Sequence, residues 1–133
     1  MSDVKQETIK LVLCDMDGTL LMPDHTISPG NLAAVKKLQA AGVYFTLASG
    51  RPPRAMREIS QQLGIELPVA GFNGGLLVNA QGEYLQSHHV QYEGVLKTLA
   101  LLAEHPVEVW LFVDEEWLVR DPSGEMVSHE QHG

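Results

Sequence analysis

Short apolar runs alternate with amphipathic stretches along most of the chain, and the changes of period fall at Gly, Pro, Asp or Ser. Leu11 to Cys14 is a run of strand length, apolar on both faces, which predicts a buried strand. It stops at Asp15 and Asp17, with Gly18 and Thr19 behind them. Leu21 to Ile27 reads as a loop that can form a small flap. Ser28-Pro29 supplies an N-cap followed by proline at the first helical position. Leu32, Val35 and Leu38 then recur at helical spacing, and Gly42 is placed to end that helix. Val43 to Ala48 is a second β-rich run, so strand, helix and strand predict a βαβ unit with a parallel sheet.

Met56, Ile59 and Leu63 mark a second crossover helix ending at Gly64, and Val69 to Phe72 is a third short strand. Leu76 to Asn79 and Glu83 to Gln86, around Ala80-Gln81-Gly82, predict a hairpin leading out of the core. Beyond it the pattern predicts a helix from Tyr92 to Glu104 and strands at Val107 to Val113 and Trp117 to Arg120, followed by a turn-like segment from Asp121 to Gly124. Val109 to Val113, with Trp110 and Phe112 interleaved, reads as a strand buried on both sides rather than as an aromatic platform. The fold class expected is α/β: a partial parallel core over residues 1–84 and the start of a second α/β unit over 85–133.

Composition narrows the function classes. The chain of 133 residues is 44% hydrophobic and 20% charged, as in a soluble globular protein. Its net charge of −8 argues against nucleic acid and against anionic membrane surfaces. No apolar run approaches the ~20 residues of a membrane span. Met1 to Thr8 is polar and lacks an apolar signal-peptide core, which with the single cysteine, Cys14, points to the cytoplasm. Cys14, inside an apolar strand, reads as a small core residue rather than a nucleophile.

The chemistry gathers where strands end, because ligands of open α/β sheets bind outside the carboxyl ends of the strands. Asp15 and Asp17 repel each other unless a cation sits with them, and Mg²⁺ with a phosphoryl substrate fits such a pair. One aspartate can attack phosphorus while the other shuttles the proton. From the four residues Asp15 to Gly18 alone, a D-x-D-G turn closing a strand reads equally well. Ser49, Gly50 and Arg51 end the second strand and offer a hydroxyl, an approachable N–H and a guanidinium fork to a phosphate. They also suit a loop capping the helix that Pro52 or Pro53 starts. Asn73-Gly74-Gly75 ends the third strand, where asparagine and glycine permit positive φ and turn the chain.

The string Cys14-Asp15-Met16-Asp17-Gly18-Thr19-Leu20 after an apolar strand resembles the first motif of the haloacid dehalogenase-like (HAD) phosphatases. Ser49-Gly50-Arg51-Pro52 is similar to the second motif in its Cof-like form, and Asn73-Gly74 to an N-G pair of that subfamily. The resemblance implies a Rossmann-like HAD core with an inserted α/β cap, and a Mg²⁺-dependent phosphatase of small phosphorylated metabolites such as sugar phosphates. In it Asp15 is the nucleophile, forming an aspartyl-phosphate, and Asp17 the general acid/base. Asp15 and Asp17, the latter through its carbonyl, hold Mg²⁺. Ser49, Gly50, Arg51 and Asn73 face phosphate and substrate.

The resemblance covers the front half of the family's pattern. The family's phosphate-neutralising lysine motif and its later G-D-x-x-[ND]-D motif have no counterpart in the sequence; Lys36, Lys37 and Lys97 fall on predicted helices. The missing motifs predict much reduced activity, or none, for the chain alone; the first strand also finds a neighbour on one side only, which predicts an open sheet edge through which the chain can self-associate. A phosphomutase-type phosphotransferase or a non-catalytic binding module are the alternatives. His88-His89 point to opposite faces of a strand, and His129-Glu130-Gln131-His132 is one residue short of the H-E-x-x-H zinc motif, so neither predicts a zinc site.

Overall fold

The computed structural model describes residues 7–127; the His129–His132 segment lies outside them. The chain forms two compact units, one up to His88 and one from His89 onward. The expected division after residue 84 would cut the strand Tyr84–Ser87, which belongs to the first unit.

In the first unit β1 (Leu11–Cys14) pairs in parallel with β2 (Tyr44–Leu47), with Leu11 opposite Tyr44 and Cys14 opposite Leu47. The connection is α1 (Pro29–Ala40), capped by Ser28, whose Oγ accepts the Asn31 N–H at 3.1 Å. After α2 (Pro53–Gln62), β3 (Val69–Gly71) meets β2 through one parallel bridge, Ala48 with Ala70. The Ser49 N–H donates to Ala70 O at 2.9 Å, and Thr46 Oγ1 donates to Pro68 O at 2.6 Å. β4 (Leu76–Val78) then pairs antiparallel with β3, and β5 (Tyr84–Ser87) antiparallel with β4. The third strand is shorter than expected because Phe72 leaves the extended region, at φ 49°.

Alternation along β1 and β2 sends Val12, Cys14, Phe45 and Leu47 to one face. There they pack with Val35 of α1 and with Met56 and Ile59 of α2. Met56 and Leu47 are wholly buried. The other face of β1 is uncovered: Leu11 is 52% and Leu13 60% exposed. The expectation of a strand buried on both sides is therefore corrected. Both crossover helices pack on the opposite face from Leu11 and Leu13, and among the described residues no strand pairs with the outer edge of β1.

The second unit holds α3 (Tyr92–Leu102) and the hairpin of β6 (Trp110–Val113) with β7 (Glu116–Val119). Lys97 lies on α3, as Lys36 and Lys37 lie on α1. Trp110, Phe112 and Trp117 share one face of the hairpin; the two indole rings meet edge to face at 5.1 Å. The expectation that β6 is buried on both sides fails, since Phe112 and Val113 are exposed. A two-stranded ribbon has too little surface to enclose its own apolar residues. His88 and His89 follow β5 rather than lying within a strand. No helix among the described residues is long and apolar enough to cross a membrane.

Candidate active site

The end of β1 is built so that its polar residues face outward. Met16 and Leu20 are buried in the core and pull the chain into a tight loop, while Asp17, Gly18 and Thr19 between them, and Asp15 just before, stay exposed. Gly18 sits at φ 76°, a conformation that a side chain disfavours, and the Leu21 N–H closes the loop on Met16 O at 3.0 Å. Thr19 Oγ1 donates to Asp15 Oδ2 at 3.2 Å, which orients that carboxylate. Asn31 Nδ2 donates to Leu20 O at 2.9 Å and ties the loop to α1.

The loop after β2 lies beside it, because the Ala48 N–H donates to Cys14 O at 2.9 Å. Ser49 is buried, and its Oγ accepts the Arg51 N–H at 3.2 Å. The loop after β3 is laced to the same backbone: Asn73 N–H donates to Ser49 O at 2.8 Å and Phe72 N–H to Arg51 O at 3.0 Å. Phe72, Asn73 and Gly74 all have positive φ, which turns the chain sharply under the Ser49 loop. The Asn73 carboxamide lies beside Gly50: a Cβ there would meet Asn73 Oδ1 at 3.4 Å.

Arg51 reaches across to Asp17. Its Nε donates to Asp17 Oδ2 at 2.7 Å and its Nη2 to Oδ1, a two-pronged fork. His25, from the loop between Leu21 and Ile27, brings Nδ1 to 3.2 Å from Asp17 Oδ1 and 3.1 Å from Arg51 Nη2. The guanidinium fork holds the Asp17 carboxyl below the ordinary carboxylate range; partial burial opposes this and His25 adds to it. The Cys14 thiol is pushed up by burial and then by the charge of Asp15, so it is a poor thiolate source.

All six sequence-predicted residues thus fall on three adjoining, hydrogen-bonded loops: Asp15 and Asp17 on the first, Ser49, Gly50 and Arg51 on the second, and Asn73 on the third. Arg51, expected at phosphate, has its fork on Asp17. His25 was missed by sequence reasoning: an exposed histidine in an Asp24-His25-Thr26 turn carries no periodic signal. Its place in the loop, two residues after Pro23, is the one hint.

Among the described residues no cluster of three His, Cys, Asp or Glu could hold a metal ion. Mg²⁺ does not need one, since it is usually held by one or two carboxylates with waters and substrate oxygens making up the rest. The Asp15 carboxylate and the Asp17 carbonyl fit that requirement as hard oxygen donors. The Asp17 carboxylate, engaged by Arg51, fits it less well.

Residues 12–133 match the family of haloacid dehalogenase-like hydrolases. Over 95 residues the chain is 33% identical to the 5-amino-6-(5-phospho-D-ribitylamino)uracil phosphatase of Bacillus subtilis, covering 71% of this chain and 35% of that protein. It is 26% identical to the pyridoxal phosphate phosphatase of Escherichia coli, over 90% of this chain and 44% of that protein. Among solved structures it resembles a HAD-superfamily phosphatase from Bacteroides thetaiotaomicron, with a TM-score of 0.80 and 25% identity over 99% of this chain and 50% of that one. The chain therefore spans less than half the length of these two curated relatives.

Proposed function

The chain belongs to the haloacid dehalogenase-like hydrolases, and from that premise we propose that it carries the nucleophile half of a Cof-like phosphatase acting on small phosphorylated metabolites such as sugar phosphates. The observation that carries the reading is the Ala48 N–H to Cys14 O hydrogen bond, which sets the aspartate loop beside the serine-glycine loop at the carboxyl ends of two parallel strands. Residues 85–133 are, on this reading, the start of a cap.

In the reaction, an Asp15 oxygen attacks phosphorus as the bond to the leaving alkoxide breaks, giving an aspartyl-phosphate. Thr19 holds the other Asp15 oxygen in place. Asp17 supplies the proton to the alkoxide and then takes one from the water that cleaves the intermediate, a role for which proton-transfer distance and protonation state both matter. Ser49 Oγ and the Gly50 N–H contribute donors to the transferring oxygens. Asp15 and the Asp17 carbonyl would hold Mg²⁺, which supplies charge neutralisation at the phosphoryl group. With its fork on Asp17, Arg51 keeps that residue anionic, which suits the second step; the first needs Arg51 to draw back toward the substrate phosphate. The uncovered edge of β1 is proposed as the place of self-association.

The test is phosphorylation rather than turnover, because the lysine and later acidic motifs are not in the sequence. The chain is incubated with Mg²⁺ and a small phosphodonor such as acetyl phosphate, and then analysed by intact mass. A single added phosphoryl group, absent in Asp15→Asn, is expected. A folded chain that acquires none, with no phosphate release from a panel of sugar phosphates, overturns the reading in favour of a non-catalytic module.

A further inference from the structure

Three loops meet at Asp17, and only two of them contain residues that a phosphoryl-transfer reading uses. The third, Leu21 to Ile27, is a small closed structure in its own right. A bridge joins Leu21 to Ile27, the Met22 N–H donates to Thr26 O at 2.8 Å, and the His25 N–H donates to Met22 O at 2.9 Å. Asp24 Oδ1 accepts both the Thr26 N–H and Oγ1, at 3.0 and 2.7 Å. These bonds hold His25 at φ 64°, in the left-handed region that residues with a side chain visit seldom, though histidine more often than most. A bulky ring kept in that conformation on an exposed turn is a cost that something must offset. The side chain is 58% exposed, yet its Nδ1 lies against both members of the Asp17–Arg51 pair.

We propose that His25 is a positioning residue, fastening the Leu21–Ile27 loop to the Asp17–Arg51 pair and so fixing where the Asp17 carboxylate points. The proposal rests on the proposed role of Asp17. The chemistry of Nδ1 suits a fastener. With its proton on Nε2, the imidazole accepts from Arg51 Nη2; with the proton on Nδ1, it donates to Asp17 Oδ1. Either tautomer makes one charge-assisted bond to the pair, so the contact survives whichever is present. An exposed carboxylate–guanidinium pair of this kind gains little by itself. A third group anchored to a hydrogen-bonded turn reduces the freedom of both side chains. Asp17 is thereby held by groups from two other loops, one on the sheet and one above it.

The readout is the Arg51 Nε–H, followed by ¹H–¹⁵N NMR as its hydrogen-exchange rate and side-chain order. Two variants separate the imidazole from the backbone. His25→Gly removes the ring while tolerating positive φ, and His25→Asn tolerates the same φ while placing an amide near the Nδ1 position. Faster Arg51 Nε–H exchange is expected in His25→Gly, by roughly tenfold, the scale of one hydrogen bond to a charged group, with most of the protection restored in His25→Asn. Unchanged exchange and order in His25→Gly, with Asp17→Asn in the same assay showing that the pair is otherwise detectable, overturns the proposal. Loss of protection in both variants alike also overturns it, because the backbone rather than the imidazole would then be responsible. If the chain transfers phosphoryl groups, His25→Gly should slow the transfer to Asp15 or its hydrolysis without weakening phosphodonor binding. The NMR result stands or falls separately from that activity.

Discussion

Arg51 Nε lies 2.7 Å from Asp17 Oδ2, a contact across 34 residues of sequence that joins the turn after β1 to the turn after β2. It brings the charge least expected near a proton donor against the residue assigned that role. The consequence is a measurable pH dependence. Because the folded-state pKa of Asp17 lies below its ordinary value near 3.8, the pair stabilises the fold above that value and its contribution is lost as pH falls through the lowered one. Asp17 is 43% exposed, so the effect is at most about 1 kcal/mol after screening. Arg51→Ala should therefore destabilise the chain slightly at pH 7 and by less at pH 3, read from urea midpoints. The carboxyl ¹³C titration of Asp17 should move back up in the variant.

Gly71 is tied to the site by lack of space rather than by its φ. A Cβ there would lie 2.8 Å from Pro53 Cδ and Cγ and 3.1 Å from Arg51 O. Pro53 begins α2 and Arg51 begins the turn, so neither yields easily. Gly71→Ala should cost roughly 1–3 kcal/mol, as overpacking does, measured by chemical denaturation, and should displace the Phe72 N–H from Arg51 O.

Asn31 donates from its side chain to Leu20 O, the carbonyl that ends the aspartate loop. Asn31→Ala leaves that part-buried carbonyl without the amide, at about 1–2 kcal/mol. The variant should also raise amide exchange at Thr19 and Leu20 more than at β2.

Leu11 and Leu13 expose an apolar strip beside an edge that no strand occupies among the described residues. Such an edge pairs readily with another chain. Concentration-dependent association is expected in sedimentation velocity, and Leu13→Lys should weaken it without changing the far-ultraviolet circular dichroism.

What the sequence determined by itself was local. The apolar runs ending at Asp15 and Ser49, the Ser28-Pro29 helix start and the Met56, Ile59 and Leu63 stripe each encode one element through its own period, and each lies where the period says. The motif residues were legible because they sit at strand ends, a position that sequence can mark. Tertiary structure decided which of these ends touch. The fork of Arg51 on Asp17, the imidazole of His25 beside both, and Asn73 under Ser49 join segments distant in sequence, and no periodicity records a contact between loops. It also decided which apolar faces are covered. Leu13 and Leu47 look alike in the sequence, yet one is 60% exposed and the other wholly buried. The difference arises because both crossover helices pack on one face of β1 and β2, and burial depends on what lies opposite a side chain rather than on the side chain itself.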